Sequence, residues 1–158
     1  MCGIAGILGE TDQMDNVLAR MCKTLTHRGP DDSASWQNFF TDAQVGLAQC
    51  SLRTSGRQGT MPFDDTETGL VVLLDGTIHN RDDLRRKLTN YYHFTTDSDA
   101  EVLSKAYHRW GKECLDRLLG EFVLVIYDRS GQAVFIGRDR FGVKPLYFSF
   151  QKGNFYFA

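Results

Sequence analysis

The chain lacks most of what marks a membrane, secreted or nucleic-acid-binding protein. Its longest unbroken apolar runs, Leu70 to Leu74 and Phe122 to Tyr127, are far below the ~20 residues that cross a bilayer. The apolar stretch Ile4 to Leu8 follows no basic segment and is too short for a signal peptide, so cytoplasmic residence without membrane contact is the expectation. Cys2 stands where N-myristoylation requires Gly, which argues against a lipid anchor. An excess of one charge is missing too: 18 Lys and Arg face 20 Asp and Glu, and the longest basic cluster is Arg85 to Lys87, so no nucleic-acid partner is expected. The four cysteines, at 2, 22, 50 and 114, form no C-x-x-C pair and have no His at ligand spacing. This excludes a recognisable disulfide framework or metal site.

What is present suits a single domain spanning 1–158, with 42% apolar and 24% charged residues. Ile4 to Leu8 reads as a buried strand. A helix capped by Asp12 follows, with Met14, Val17, Leu18, Met21, Cys22 and Leu25 on one stripe. Cys22, Cys50 and Cys114 read as small core residues. After the loop Thr26 to Ser33, the stretches Ala34 to Phe40 and Gln44 to Cys50 resemble a hairpin turning at Thr41-Asp42. Leu52 to Thr68, rich in Gly, Ser, Thr and Arg, reads as a loop long enough to suggest a functional role.

Gly69 to Leu74 is an apolar strand expected to turn at Asp75-Gly76, before a short helix capped by Asn80. A third helix begins at Asp97 or Ser98, with Glu101 as the acidic member of a capping box, and a short helical continuation runs from Glu113 to Gly120. Four strands close the chain: Phe122 to Tyr127, Ala133 to Gly137, Leu146 to Phe150 and Asn154 to Phe157. Continuous rather than alternating hydrophobicity from residue 122 predicts burial on both faces. The sum is a layered domain of two sheets with helices outside.

Chemistry is suggested first by Cys2. Initiator Met is generally trimmed before a small residue, and a terminal cysteine then carries a thiol (pKa ~8.5) beside its own α-amine (pKa ~8), nucleophile and base in one residue. A retained Met1 would lock that amine into a peptide bond. The four histidines, His27, His79, His93 and His108, stand near no Ser or Cys nucleophile motif and suggest no catalytic role.

The opening Met1-Cys2-Gly3-Ile4-Ala5-Gly6, the loop His27-Arg28-Gly29-Pro30-Asp31, the segment Ser98-Asp99-Ala100-Glu101 and the run Gly137-Arg138-Asp139-Arg140-Phe141-Gly142-Val143-Lys144-Pro145-Leu146-Tyr147 occur in that order. Together they resemble the class II glutamine amidotransferase domain, in particular the N-terminal domain of glutamine-hydrolysing asparagine synthetases, over essentially the whole chain. The resemblance implies an α+β fold of the N-terminal nucleophile hydrolase type, a four-layer αββα sandwich of two mainly antiparallel sheets. It also implies glutamine hydrolysis through a Cys2 thioester, with ammonia passed to a synthetase domain. No Ser-Gly-Gly-x-Asp pyrophosphatase-type loop is present, so that domain is expected elsewhere, with ATP and magnesium belonging to it and no cofactor to this chain. A homodimer is left open.

Residue by residue, the resemblance makes Cys2 the nucleophile, and Asp75 and Gly76 the oxyanion positions. Arg28, Ser51, Leu52, Arg53, Thr77 and Asp99 become the substrate-binding positions, with Asp99 meeting the α-ammonium of glutamine. Their ordinary readings are a loop ion pair for Arg28, a helix-start carboxylate for Asp99 and a turn residue for Gly76. Two positions depart from the pattern. Relatives read Asn-Gly-Glu-Ile-Tyr-Asn where this chain has Asp75-Gly76-Thr77-Ile78-His79-Asn80, and an ionised Asp75 would repel the oxyanion that an amide stabilises; one lost donor costs ~10²- to 10³-fold. Relatives also have an arginine, clamping the α-carboxylate, where this chain has Ser51, which cannot replace a bidentate guanidinium; Arg53 lies two residues on. Later in that loop Gly56 and Met61 stand where Asp and Gln are expected. Three functions are therefore weighed: an active glutaminase domain, a catalytically degenerate domain supporting assembly, and an amide hydrolase of altered specificity.

Overall fold

The computed structural model describes residues 2–39, 43–52 and 61–158. The chain divides into two compact units, Met1–Thr54 with Pro145–Ala158, and Ser55–Lys144.

The first unit is built on a five-stranded sheet in the order β2-β3-β1-β9-β8, formed by β1 (Gly3–Gly9), β2 (Asp32–Phe39), β3 (Gln44–Ser51), β8 (Phe148–Gln151) and β9 (Asn154–Phe157). Every pairing is antiparallel, with β1 central between β3 and β9. The N-terminal strand is therefore interior, as its apolar sequence requires. Helix α1 (Met14–Leu25) lays its stripe on the sheet, where Met14 and Leu18 join Ile7 and Ala48 in a core that Cys22 borders. Asp12 does not cap α1: the cap position is Gln13, without a side-chain hydrogen bond, and its amide donates to Thr11 Oγ1 at 3.3 Å. The expected turn at Thr41-Asp42 lies outside the described residues.

The second unit carries a four-stranded antiparallel sheet, β4-β5-β6-β7, from β4 (Phe63–Asp65), β5 (Leu70–Ile78), β6 (Gly120–Asp128) and β7 (Ala133–Arg138). Residues Phe122 to Tyr127 are buried without interruption, as the continuous hydrophobicity predicts, but the expectation fails for the later strands: β7 is only half-buried and β8 leaves Phe148 and Phe150 exposed, because both lie at the edge of their sheets. Helices α2 (Arg81–Leu88) and α3 (Asp99–Trp110) close the core through Leu84, Leu88, Val102, Leu103 and Ala106. Each of these buried Leu and Val side chains is worth about 1.5–3 kcal/mol. A 3-10 helix, Gly111–Arg117, replaces the continuation expected from Glu113.

Three local expectations change. The strand does not turn at Asp75-Gly76 but runs on to Ile78, because β6 pairs with it throughout, Asp75 opposite Val123 and Gly76 opposite Phe122. The loop Leu52 to Thr68 contains β4, an edge strand held to α3 by buried charge. Asn80 precedes α2 but makes no capping bond: its Nδ2 donates to the Arg117 carbonyl at 2.8 Å and its Oδ1 accepts from the Leu119 amide at 2.9 Å, tying α2 to the end of the 3-10 helix. Among the described residues no helix is long and apolar enough to cross a membrane.

Candidate active site

The expected site residues divide between the two units: Cys2, Arg28, Ser51 and Leu52 in the first, Asp75, Gly76, Thr77 and Asp99 in the second. Arg53 lies outside the described residues, as does Gly56.

In the first unit Cys2 is 4% exposed and leads directly into β1. Gly3 is opposite Cys50 in the β1–β3 ladder, so Cys2, which immediately precedes it, lies at the end of β3 that carries Cys50 and Ser51. The His27-Arg28-Gly29-Pro30-Asp31 loop is fastened to the same strand end. The Asp31 amide donates to the Ser51 carbonyl at 3.1 Å, and the Arg28 amide to the Leu25 carbonyl at 2.8 Å. Gly29 is the closest point of approach: a Cβ there would overlap the peptide joining Cys50 to Ser51, so only glycine lets the loop seat. Arg28, Ser51 and Leu52 are half-buried around this junction. The sequence motif thus brings Arg28, Ser51 and Cys2 to one corner through backbone contacts.

The other cysteines do not rival Cys2 by accident of position. Cys50 points to the helix side, where its Sγ donates to the Cys22 carbonyl at 3.4 Å. Burial, reinforced by Cys22 and then Cys2, pushes its thiol up to about 12, and burial pushes Cys114 up to about 11. Both are neutral thiols at pH 7. A cavity of ≈550 Å³ lies on the α1 side, lined by Cys22, Lys23, Gly29, Asp31 and Cys50, and Cys2 is not among its lining residues.

In the second unit Asp75 is 3% exposed within β5. Gly76, half-buried, has φ +131°, and a Cβ there would overlap the Glu121 carbonyl of β6. No L-side chain is accommodated at that position, which keeps the backbone amide of residue 76 in this unusual orientation. Thr77 is exposed. Asp99, the first residue of α3, is brought to the same strand end: its Oδ2 accepts from the Ile78 amide at 2.9 Å. Ser98 caps α3 by accepting from the Glu101 amide at 3.2 Å. The capping box is half formed, because the Glu101 carboxylate turns instead to the amides of Thr95 (2.8 Å) and Thr96 (2.7 Å). Burial pushes the Glu101 carboxyl up, but these Thr95 and Thr96 bonds outweigh it and hold it below the ordinary value.

The long run from Gly137 has a structural meaning. Asp139, 5% exposed, accepts from the amides of Phe141 (3.1 Å), Val143 (2.9 Å) and Lys144 (3.2 Å), so one carboxylate organises the whole loop. Burial raises the cost of its charge, but the amides of Val143 and Lys144 and others outweigh burial and lower its pKa. Its own amide donates to the Phe122 carbonyl at 2.9 Å, directly opposite Gly76 in the ladder. Sequence reasoning assigned nothing to Arg81, whose guanidinium stands 3.9 Å from Asp99; a buried cation at the first position of a polar helix gives no periodicity signal. All four histidines are exposed, and among the described residues no group of three or more His, Cys, Asp or Glu could hold a metal ion.

A family model described as a glutamine amidotransferase domain matches residues 1–158. The chain belongs to the glutamine amidotransferase domain family. It is 34% identical over 164 residues to asparagine synthetase [glutamine-hydrolyzing] 2 of Bacillus subtilis, covering all of this chain and 21% of that protein. It is 32% identical over 163 residues to asparagine synthetase B [glutamine-hydrolyzing] of Escherichia coli, again covering all of this chain and 29% of the relative. The chain thus spans between a fifth and a third of the length of these relatives. Among solved structures, glutamine phosphoribosylpyrophosphate amidotransferase from B. subtilis matches 99% of this chain and 41% of its own, with a TM-score of 0.77 at 19% identity. That likeness shows the fold, and with it the expected α+β class with two antiparallel sheets.

Proposed function

We propose that this amidotransferase domain hydrolyses glutamine to glutamate and ammonia, with Cys2 as nucleophile, and delivers the ammonia to an asparagine synthetase-like partner domain. The observation that carries the reading is the family match over the full 158 residues with Cys2 retained at the head of the central strand β1. A degenerate, purely structural role is not favoured beside it.

With Met1 removed, the Cys2 α-amine accepts the thiol proton. The thiolate attacks the side-chain amide carbon of glutamine, the C–N bond breaks, and the proton leaves with ammonia; water then cleaves the glutamyl thioester, returning the thiol and releasing glutamate. In this reading the Gly76 amide donates to the oxyanion, Asp99 receives the α-ammonium, and Arg28, Leu52 and Thr77 line the substrate. Asp75 and Ser51 weaken the site. An acid replaces an oxyanion donor and a hydroxyl replaces a carboxylate clamp, so slow turnover and a high KM for glutamine follow. Arg53 is the cation nearest in sequence to take up the α-carboxylate. The same proposal sets the protein in the cytoplasm, assigns ATP and magnesium to the synthetase partner, and gives this domain no cofactor of its own.

The test is glutamate release from glutamine by the purified protein, with intact mass recorded on the same sample and Cys2→Ala as control. Cys2-dependent glutamate from protein lacking Met1 is the expected result. Protein lacking Met1 that releases no more glutamate than Cys2→Ala, with and without the synthetase partner, overturns the reading.

A further inference from the structure

Arg81 is a buried, multiply bonded side chain of the second unit that no part of the proposed mechanism uses. It opens α2, yet its side chain is only 8% exposed. Its Nη1 donates to the Asp97 carbonyl at 2.7 Å and stands 3.2 Å from Asp97 Oδ1; its Nε and Nη2 both donate to Asp82 Oδ1, at 2.9 and 2.5 Å. The remaining approach of the guanidinium is to Asp99 Oδ1, 3.9 Å from Nε. Asp99 is therefore held from two sides, Oδ2 by the Ile78 amide and Oδ1 by Arg81.

Arg81 is itself immobilised. A planar guanidinium that satisfies a backbone carbonyl and a neighbouring carboxylate at once has one orientation, and it brings its charge to Asp99 in a fixed direction. Arg85 adds a second cation to the group, 3.9 Å from Asp97, and donates to the Thr96 carbonyl at 2.7 Å. Among the described residues two guanidiniums thus face three carboxylates, Asp82, Asp97 and Asp99. Arg81 spends its hydrogen bonds on Asp82 and Asp97 and makes only the longer approach to Asp99, so the carboxylate is oriented without being neutralised.

We infer that Arg81 is a positioning residue: it fixes the Asp99 carboxylate so that its free lone pairs meet the α-ammonium group of the amide substrate, and so makes the domain select α-amino amides. The inference rests on the glutaminase reading, which supplies the role of Asp99. It adds a specificity determinant that acts through Asp99 without touching the substrate.

The experiment compares L-glutamine with glutaramate, the same amide lacking the α-amino group, which has nothing to offer Asp99. Affinities for both are measured by calorimetry on Cys2→Ala protein, so that binding is read without turnover, and KM and kcat are measured on the protein with Cys2 intact. Arg81→Gln is expected to weaken glutamine about tenfold while leaving glutaramate within about twofold, with Arg81→Lys intermediate. In the ligand-free protein the Ile78 amide, released by a less constrained Asp99, exchanges its proton faster in Arg81→Gln. Equal loss for both amides would mean a general structural role, and unchanged glutamine affinity would mean no role; either overturns the inference while leaving the glutaminase reading in place. Absence of glutamine binding to the Cys2→Ala protein removes the glutaminase reading instead, and the selectivity claim falls with it. Should Arg81→Gln fail to fold, Arg81→Lys carries the same comparison, with loss confined to glutamine as the supporting result.

Discussion

Lys105→Met should destabilise the protein by about 3 kcal/mol at pH 7, and the deficit should shrink in acid. Lys105 lies on α3 with its side chain 2% exposed, and its Nζ is 3.0 Å from Asp65 Oδ1 and 2.6 Å from Glu67 Oε2. Asp65 is 5% exposed and Glu67 is 46% exposed, so the Asp65 contact dominates. At 3.0 Å and an effective dielectric of about 20, the raw attraction is about 5.5 kcal/mol, most of it offset in the folded protein by the cost of burying both charges. Methionine keeps the volume of the stem but leaves the Asp65 carboxylate buried without its cation, a loss that typically costs about 3–5 kcal/mol. The low end applies because Asp65 keeps the Ser104 hydroxyl at 2.6 Å and the Glu67 amide at 3.1 Å.

The pH dependence fixes the cause. In the native protein burial pushes the Asp65 carboxyl up, but the hydrogen bonds from Ser104 and Lys105 and the Lys105 charge outweigh it and hold its pKa below the ordinary value. A depressed carboxyl contributes stability that is present above its unfolded pKa and lost as pH falls through the folded one. Without Lys105 the burial penalty is met by Ser104, Thr68 and the turn amides. The folded pKa rises, protonation relieves the penalty, and variant and native stabilities converge as the solution is acidified. Lys105 behaves oppositely: burial lowers its pKa, but the Glu67 and Asp65 bonds outweigh this and raise it, so its contribution is full below the unfolded lysine value and fades at alkaline pH above it. Urea unfolding followed by tryptophan fluorescence, at pH 7 and pH 4, reads both quantities. A deficit under 1 kcal/mol at pH 7, or one that is the same at both pH values, would refute the reasoning.

Asp75→Asn restores an amide at the oxyanion position and should raise the glutaminase kcat by about 10²-fold with little change in KM; a rate gain below threefold would show that Asp75 does not limit turnover. Gly29→Ala should cost at least 1–3 kcal/mol of stability, because its Cβ meets the Cys50–Ser51 peptide, backbone that cannot swing aside, and glutamate release should fall with it; a fully stable, fully active Gly29→Ala protein would contradict the seating of that loop.

The sequence made every strand but β4, the three helices and their core faces readable through local patterns, such as the 3.6-residue stripe Met14, Val17, Leu18, Cys22 that packs α1 and the unbroken apolar run that fills β6. It misled at Asp75-Gly76, where composition says turn. The long-range ladder with β6 overrides that local preference, and Gly76 serves a close backbone approach instead of a reversal. Asp12 and Asn80 show the same limit on a smaller scale: cap-competent side chains precede both helices, but α1 goes uncapped and Asn80 is drawn away to Arg117 and Leu119. Of the site, the motif residues were legible individually. Arg81 was not, since its partners Asp97 and Asp99 lie 16 and 18 positions away and no spacing rule joins them.

The residues that make the family easiest to recognise are those with the fullest folding roles. Gly29 seats a loop against the Cys50–Ser51 peptide, Gly76 lets β5 approach β6, Glu101 ties the segment before α3, and Asp139 gathers three backbone amides. Any protein with this fold needs those contacts whatever its chemistry, so the long run from Gly137 testifies to architecture. Activity must be argued from the positions whose side chains the fold does not demand. There the chain departs in one electrostatic direction from the family pattern it resembles: Ser51 stands in place of an arginine and Asp75 in place of an asparagine, which together remove a positive charge and add an acidic group. On the proposed glutaminase reading both changes disfavour an α-carboxylate and an oxyanion, while Asp99 beside Arg81 favours an ammonium. That reading predicts selectivity held more firmly for the amino end of the substrate than for the carboxyl end: in a competition assay, an α-amino amide whose carboxyl is esterified or amidated should lose less affinity relative to glutamine here than in a domain that carries the arginine.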